Sequence, residues 1–325
     1  MANHRKAASG TVAAEYCARF PATPSRTLAR MLHRDQPKLF RDEVAACCAV
    51  RYHRGRIGKN SRRPGRIPTL VELPEPIPEE FKVHQLQTGL KYLVLGDIHV
   101  PYHDRQAIEL AVAHGKRAGC NAVLLLGDVT DFYALSSFER DPRKINFRRE
   151  IEDAGRLLDY LNQRLDPEAM IWKLGNHERR LIRFMRQRCA EFLDVPQFAL
   201  ESFMRLEERG VTTIESNDLL QCGRLTILHG HEFGKGPIST VNPARTALLR
   251  TLECSLTAHR HQTSVHVERT VQERQIASYS IGCLCGLHPE YAPLNKWNLG
   301  FAVLDTTADH DWSIDNLRIV NGRVH

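Results

Sequence analysis

Five short apolar runs, each ending in a cluster of polar side chains, constrain this 325-residue chain more than any other feature. LKYLVL at 90–95 leads into Gly96-Asp97-Ile98-His99, and AVLLL at 122–126 leads into Gly127-Asp128-Val129-Thr130-Asp131. MIWKL at 170–174 precedes Gly175-Asn176-His177-Glu178. LTIL at 225–228 precedes His229-Gly230-His231, and Leu256–Ala258 precedes His259-Arg260-His261. Continuous apolar runs read as strands buried on both faces. Helical patterns at Asp104–Arg117 and Phe147–Leu165 separate the first three. Strand-like runs at Val265–Val271, Ile276–Ile281, Phe301–Leu304 and Ile314–Ile319 make the tail all-β. Alternating elements followed by late strands predict a layered α/β sandwich. Functional side chains of such sheets gather at the carboxyl ends of the strands, so the five clusters are expected to meet. The glycines let the backbone turn where a side chain must project.

Together the clusters offer carboxylates, imidazoles and one amide carbonyl. These are oxygen and nitrogen donors without thiolate, suited to Mn²⁺, Fe or Zn²⁺. The order D-x-H, G-D-x-x-D, G-N-H-E, H-G-H, H-x-H resembles the calcineurin-like metallophosphoesterase superfamily. So do the gaps: 31 residues from Asp97 to Asp128, 48 to Asn176, 53 to His229 and 30 to His259. The resemblance covers about residues 88–305 and implies a two-sheet α/β sandwich flanked by helices.

It also implies roles. Asp97, His99 and His261 would hold one divalent ion, Asn176, His229 and His259 a second, and Asp128 would bridge them. Such a pair clamps a phosphate and acidifies a water. An Asn ligates through its neutral carbonyl oxygen, which keeps the site from becoming too negative for an anionic substrate. His177, beside Asn176, would assist the leaving oxygen as general acid, oriented by Asp131. Glu178 reads as a helix N-terminal residue. His103, His231 and Arg260 are candidates for substrate contact, with structural roles as the alternative. Two departures stand out. Ala258 replaces the usual glycine before His259. Phe132-Tyr133, in place of Arg-Gly, argues against the protein serine/threonine phosphatase branch. Tyr291 and Trp297 lie in a Pro- and Gly-rich stretch between Cys283 and Phe301, which reads either as an aromatic rim that stacks on a base or sugar or as a packed closing loop.

Charge divides the chain. Residues 1–66 carry 15 Lys/Arg and 4 Asp/Glu, a net of +11, and the remainder carries 30 and 34, a net of −4. Helices are expected at about 11–19, from an N-cap at Ser25, and over 41–53. Leu28, Met31 and Leu32 would share one face, and Val44, Cys47, Cys48 and Val50 would point inward. Arg51, Arg54, Arg56 and Lys59 follow, then Arg62, Arg63 and Arg66. We therefore read 1–66 as a basic helical module, helix-turn-helix-like, that meets nucleic acid through Arg51, Arg54, Arg56 and Lys59 by releasing phosphate counterions. A basic appendage on the main domain is the alternative. Prolines at 64, 68, 74, 76 and 78 make 67–87 an extended linker, leaving 88–325 for the dinuclear domain.

The expected function is metal-dependent hydrolysis of phosphate esters with two divalent ions, Mn²⁺ first, acting on nucleic acid as a nuclease or end-processing enzyme. Small phosphate esters such as nucleotides are the alternative substrates, and a degenerate, non-catalytic binding protein is a third reading. Nine cysteines, without zinc-knuckle spacing, read as buried reduced thiols. No apolar signal segment opens the chain and no apolar run is membrane-length, so a cytoplasmic location without membrane contact is expected.

Overall fold

A computed structural model describes residues 2–62, 73–78, 80–234 and 241–325. The chain divides into two compact units, Met1–Glu79 and Glu80–His325. No helix among the described residues is long and apolar enough to cross a membrane.

The first unit holds three helices, α1 (Ala2–Arg19), α2 (Ser25–Asp35) and α3 (Glu43–His53). Ala13, Leu28, Ala29, Leu32, Phe40, Ala46 and Val50 form its core. Three details differ from expectation. α1 begins nine residues earlier than the expected 11. Pro24, not Ser25, is the N-cap of α2. The N-cap of α3 is Asp42, whose side chain accepts from Ala45 N at 2.7 Å. That register turns Ala46 and Val50 inward and leaves Val44 and Cys48 exposed. The stretch 63–72, with Arg63, Arg66, Pro64, Pro68 and part of the expected linker, lies outside the described residues. Residues 73–78 are exposed and irregular.

The second unit contains two sheets. Its elements are β1 (Val83–Gln85), β2 (Lys91–Leu95), α4 (Arg105–Arg117), β3 (Ala122–Leu126), α5 (Phe147–Leu165), β4 (Ala169–Lys173), α6 (Arg179–Arg188), α7 (Leu200–Phe203), β5 (Val211–Ile214), β6 (Leu219–Cys222), β7 (Leu225–Ile227), α8 (Pro243–Thr251), β8 (Ser255–Thr257), β9 (Ser264–Arg269), β10 (Gln275–Ser280), β11 (Gly300–Thr306), β12 (Trp312–Val320) and β13 (Arg323–Val324). β1 falls inside the expected linker. One sheet runs β13-β12-β11-β2-β3-β4-β5 and the other β1-β6-β7-β8-β10-β9. β2 through β5 are parallel, and β11 closes antiparallel on β2.

Strand alternation explains why the first runs are apolar throughout. Leu93, Leu95, Val123, Leu125, Phe301 and Val303 join a core with residues of α4, α5 and α6. Their neighbours Tyr92, Val94, Leu124, Leu126, Ala302 and Leu304 join a second core with Leu220, Ile227 and Leu256 of the other sheet. Both faces of the central strands are covered, so their carboxyl ends are the open positions for chemistry.

Candidate metal centre

Parallel β2, β3 and β4 from one sheet, and β7 and β8 from the other, deliver the five clusters to one place. The backbone there is unusual. Asp97, His99, Asp128, His259 and His261 all have φ between 50° and 65°, in the left-handed region. Side chains rarely adopt it, and each instance costs on the order of 1–3 kcal/mol. Packing also leaves no room beside the ligands. A Cβ on Gly127 would run into the His229 imidazole, and one on Gly175 into the Asp128 carboxylate.

Asp97 Oδ1 lies 3.3 Å from His261 Nε2 and 3.9 Å from His229 Nε2. His99 Nε2 is 3.3 Å from His261 Nε2. Asp128 Oδ2 lies 3.2 Å from His229 Nε2 and 3.9 Å from His99 Nε2, so this one carboxylate faces both histidine sets. Three compact groups of donor atoms result: Asp128, His229 and His259; His99, Asp128 and His177; and His99 and His261 with Cys285. Asp97 Oδ1, Asn176 Oδ1 and His229 Nε2 are buried without a hydrogen-bond partner. His229 Nδ1 donates to Leu126 O at 2.7 Å, which aims Nε2 into the cluster. Unpaired buried acceptors converging with carboxylates fit divalent cations.

The electrostatics fit as well. Burial disfavours a charged His229, yet the Asp128 and Asp97 carboxylates push it up to about 10. Burial likewise opposes charge on His261, and Asp97 drives it to about 10. Burial and the neighbouring His229 instead push His259 down to about 3. The cluster thus demands positive charge that a cation would supply. The nearby Cys283 and burial raise the Cys285 thiol far above its ordinary range. It therefore stays protonated, 3.8 Å from His261 Nδ1, as a partner of the histidine.

Glu178, expected to be a helix N-terminal residue, is the N-cap of α6 and something more. Its buried carboxylate accepts from Asp128 N (3.0 Å), Thr130 N (3.0 Å), Thr130 Oγ1 (3.1 Å) and Gly175 N (2.7 Å), tying the β3 and β4 loops together. Glu232 does the same for the β7 loop, accepting from His229 N and Gly230 N at 3.1 and 2.6 Å. It is itself paired with fully buried Lys173 at 3.1 Å.

His177 donates from Nδ1 to the carbonyl of Asp131 at 2.9 Å, and its backbone N–H binds Asp128 Oδ1 at 2.9 Å. The Asp131 carboxylate lies 3.5 Å from His177 Nδ1 and 3.3 Å from His99 Nδ1. Burial raises the Asp131 pKa, but hydrogen bonds to His177 and His99 hold it well below the usual carboxylate range. Arg180, absent from the sequence expectations, donates to Asp131 O at 2.9 Å and approaches His177 Nε2 at 3.1 Å.

The remaining expected residues are scattered around this centre. His231 packs against His229 and His259, with ring centroids 5.4 and 6.3 Å away, and burial lowers its pKa to about 4. Arg260 is half-buried between His259 and His261 and makes no ion pair among the described residues. His103 bridges by backbone to Cys285. Trp297 packs against His261 with ring centroids 4.0 Å apart and planes tilted by 51°, while Tyr291 is exposed. In the first unit Arg51, Arg56 and Lys59 are exposed. Arg54 instead turns inward to Ser25 Oγ (3.1 Å) and Phe20 O (3.0 Å), a structural tie.

A family model described as calcineurin-like phosphoesterase matches residues 90–254. That span contains Asp97, His99, Asp128, Asn176, His177 and His229, while His259 and His261 follow it. No curated protein matches. Among solved structures, the chain is similar to vacuolar protein sorting 29 from Cryptosporidium parvum (14% identity over 74% of this chain and 96% of that one, TM-score 0.38). It is also similar to Yfce, a phosphoesterase from E. coli (12%, 70% and 98%, TM-score 0.32), and to a dimetal phosphatase from Danio rerio (12%, 71% and 96%, TM-score 0.35). With the family model spanning half of the chain and the donor set assembled at the strand ends, this chain belongs to the calcineurin-like phosphoesterase family.

Proposed function

We propose that this protein hydrolyses phosphate esters with two divalent metal ions, Mn²⁺ foremost. The observation that carries the reading is the set of buried, unpaired donor atoms Asp97 Oδ1, Asn176 Oδ1 and His229 Nε2 around a shared Asp128 carboxylate. Asp97, His99 and His261 would hold one ion, Asn176, His229 and His259 the other, and Asp128 both. When bound, such ions supply Lewis acidity that clamps a phosphate and lowers the pKa of a water. His177 would donate a proton from Nε2 to the leaving oxygen. The Asp131 carbonyl fixes its tautomer, because it accepts from Nδ1. The influences on His177 oppose each other, and its pKa is raised on balance. Burial disfavours the charged ring, Asp128 and Asp131 favour it, and Arg180 disfavours it. A guanidinium at Nε2 also blocks donation from that atom, so Arg180 must turn away when substrate enters, and phosphate oxygens are its natural alternative partner.

For substrate we favour a nucleic-acid phosphodiester, on the +11 balance of residues 1–66 and their exposed Arg51, Arg56 and Lys59. The net of −4 beyond residue 66 favours small phosphate esters as the competing reading. A cytoplasmic location accords with both. The test is hydrolysis of bis-p-nitrophenyl phosphate, p-nitrophenyl phosphate and a labelled oligonucleotide, in parallel, with Mn²⁺. Turnover of the oligonucleotide supports the first reading. Turnover of aryl esters alone supports the second, and no turnover of any of them refutes hydrolysis.

A further inference from the structure

α6 begins two residues beyond His177, and its charge is unlike that of its neighbour α5. α5 carries Arg148, Arg149, Arg156 and Arg164 against Glu150, Glu152, Asp153 and Asp159. Its first three arginines pair with Glu152 or Asp153 at 2.7–3.2 Å. α6 reads RRLIRFMRQR, five arginines and no acid. Among the described residues only Arg180 of these pairs with a carboxylate, that of Asp131 at 3.2 Å. Arg179 donates to Asn217 Oδ1 and Arg183 to Ser137 Oγ, contacts that orient the guanidinium without neutralising it.

The spacing is directional. Leu181 and Met185 are the buried residues of α6. Arg179, Arg183 and Arg186 stand at i, i+4 and i+7, which puts them on one stripe facing away from that pair. Arg183 and Arg186 are exposed, while Phe184, 36% exposed, lies about 100° around the helix from Arg183, off the stripe. Stability alone does not account for the pattern. Arg186 and Arg188 lie in the last turn, where the dipole favours cations, but Arg179 and Arg180 lie in the first, where it opposes them, and the N-cap Glu178 is committed to the loop N–H groups of Asp128, Thr130 and Gly175. From Arg179 to Arg186 the stripe spans ~10 Å, enough for about three phosphates at the ~3.4 Å spacing of a stacked strand.

We propose that the Arg179–Arg183–Arg186 stripe of α6 is the track for a single-stranded nucleic-acid substrate, binding the phosphates that flank the one at His177. The proposal rests on the nucleic-acid reading above and moves the substrate contact to the phosphoesterase unit itself. The stripe supplies the charge. It also accounts for a polyanion approaching a unit whose net charge is −1 over residues 80–325, because the positive potential is local to the helix that leaves the site.

The test uses the full-length Mn²⁺-loaded protein and compares the wild type with the double variants Arg183→Gln/Arg186→Gln and Arg183→Lys/Arg186→Lys. The probes are a labelled single-stranded oligodeoxynucleotide and bis-p-nitrophenyl phosphate. In the Gln variant, the ratio of kcat/KM for the oligonucleotide to that for the aryl ester should fall about tenfold or more. The salt slope of oligonucleotide binding should flatten by roughly 1.4, two contacts at ~0.7 each. The Lys variant keeps both charges and should keep the wild-type slope. If the wild type cuts the oligonucleotide and the Gln variant matches it in ratio and slope, the α6 track is overturned while the nucleic-acid reading stands. If the wild type hydrolyses the aryl ester but neither binds nor cuts the oligonucleotide, both are overturned. Loss of binding to phosphatidylserine vesicles by the Gln variant, with its oligonucleotide ratio intact, would also overturn the proposal, in favour of a membrane surface.

Discussion

Asp97 and Asp128 are fully or almost fully buried, whereas Arg51 and Arg56 of the N-terminal unit stand in solvent. The difference runs through everything around them. At the strand ends each charge is fixed by named partners: loops are tied by Glu178 and Glu232, five residues take a left-handed backbone, and glycines keep the space clear. In the N-terminal unit the helices pack on a small core of Leu28, Leu32, Phe40 and Val50, and the charge outside is carried by exposed side chains such as Arg51, Arg56 and Lys59. A cluster that stores backbone strain and leaves buried acceptors unpaired has been shaped for a ligand. An exposed basic surface on a small helical core is compatible with several polyanions. The first region therefore identifies a chemistry, and the second identifies only a charge.

Substitutions at the buried cluster should act on metal and turnover, and those on the basic surface on salt dependence. The largest effect is expected for Asp128→Asn, which removes the charge facing both histidine sets. Metal content by mass spectrometry should fall together with almost all hydrolysis of bis-p-nitrophenyl phosphate. Two retained metals with wild-type turnover would contradict the shared role. His177→Ala should keep the metals and lower turnover by roughly 10²–10⁴-fold, less for esters with good leaving groups, which need no proton. His177 Nε2 also lies 3.8 Å from Asp128 Oδ2, so loss of metal in this variant would make it a ligand instead.

Glu178→Gln tests the brace. It leaves the shape but weakens four hydrogen bonds to the loops that carry Asp128 and Asn176, so metal affinity should drop about 10–100-fold. Unchanged affinity in a Mn²⁺ titration would reduce Glu178 to a helix cap. The smallest effect belongs to the other region. Arg51, Arg56 and Lys59 changed together to Gln should flatten the salt slope of single-stranded oligonucleotide binding by about 2, with metal content as in the wild type. A slope that does not move would remove this surface from the substrate path.

The candidate donors that meet at the strand ends were legible in the sequence because each is a residue type with few uses, placed directly after an apolar run that reads as a buried strand. Asp97, Asp128, Asn176, His229, His259 and His261 needed no knowledge of the loops between them. Glu178 was not legible in the same way. Its partners are backbone N–H groups as far as 50 residues away at Asp128, and no local pattern announces them. Arg180 was missed because α6 shows only two buried apolar residues, Leu181 and Met185, among ten, too few for a helical period to stand out. β1, β5 and β6 are three or four residues long and owe their existence to pairing with distant strands. Arg54 looked like the other arginines of its run. Only the fold reveals that its guanidinium is committed to Ser25 and Phe20.

The central claim, that the strand-end cluster is a divalent-metal centre for phosphoester hydrolysis, is tested most directly by titrating chelator-stripped full-length protein with Mn²⁺ while following both bound metal and cleavage of bis-p-nitrophenyl phosphate. The account predicts that activity is absent without metal and rises as two ions bind per chain. Cleavage that persists in the stripped protein, or two bound ions without any cleavage, would contradict it.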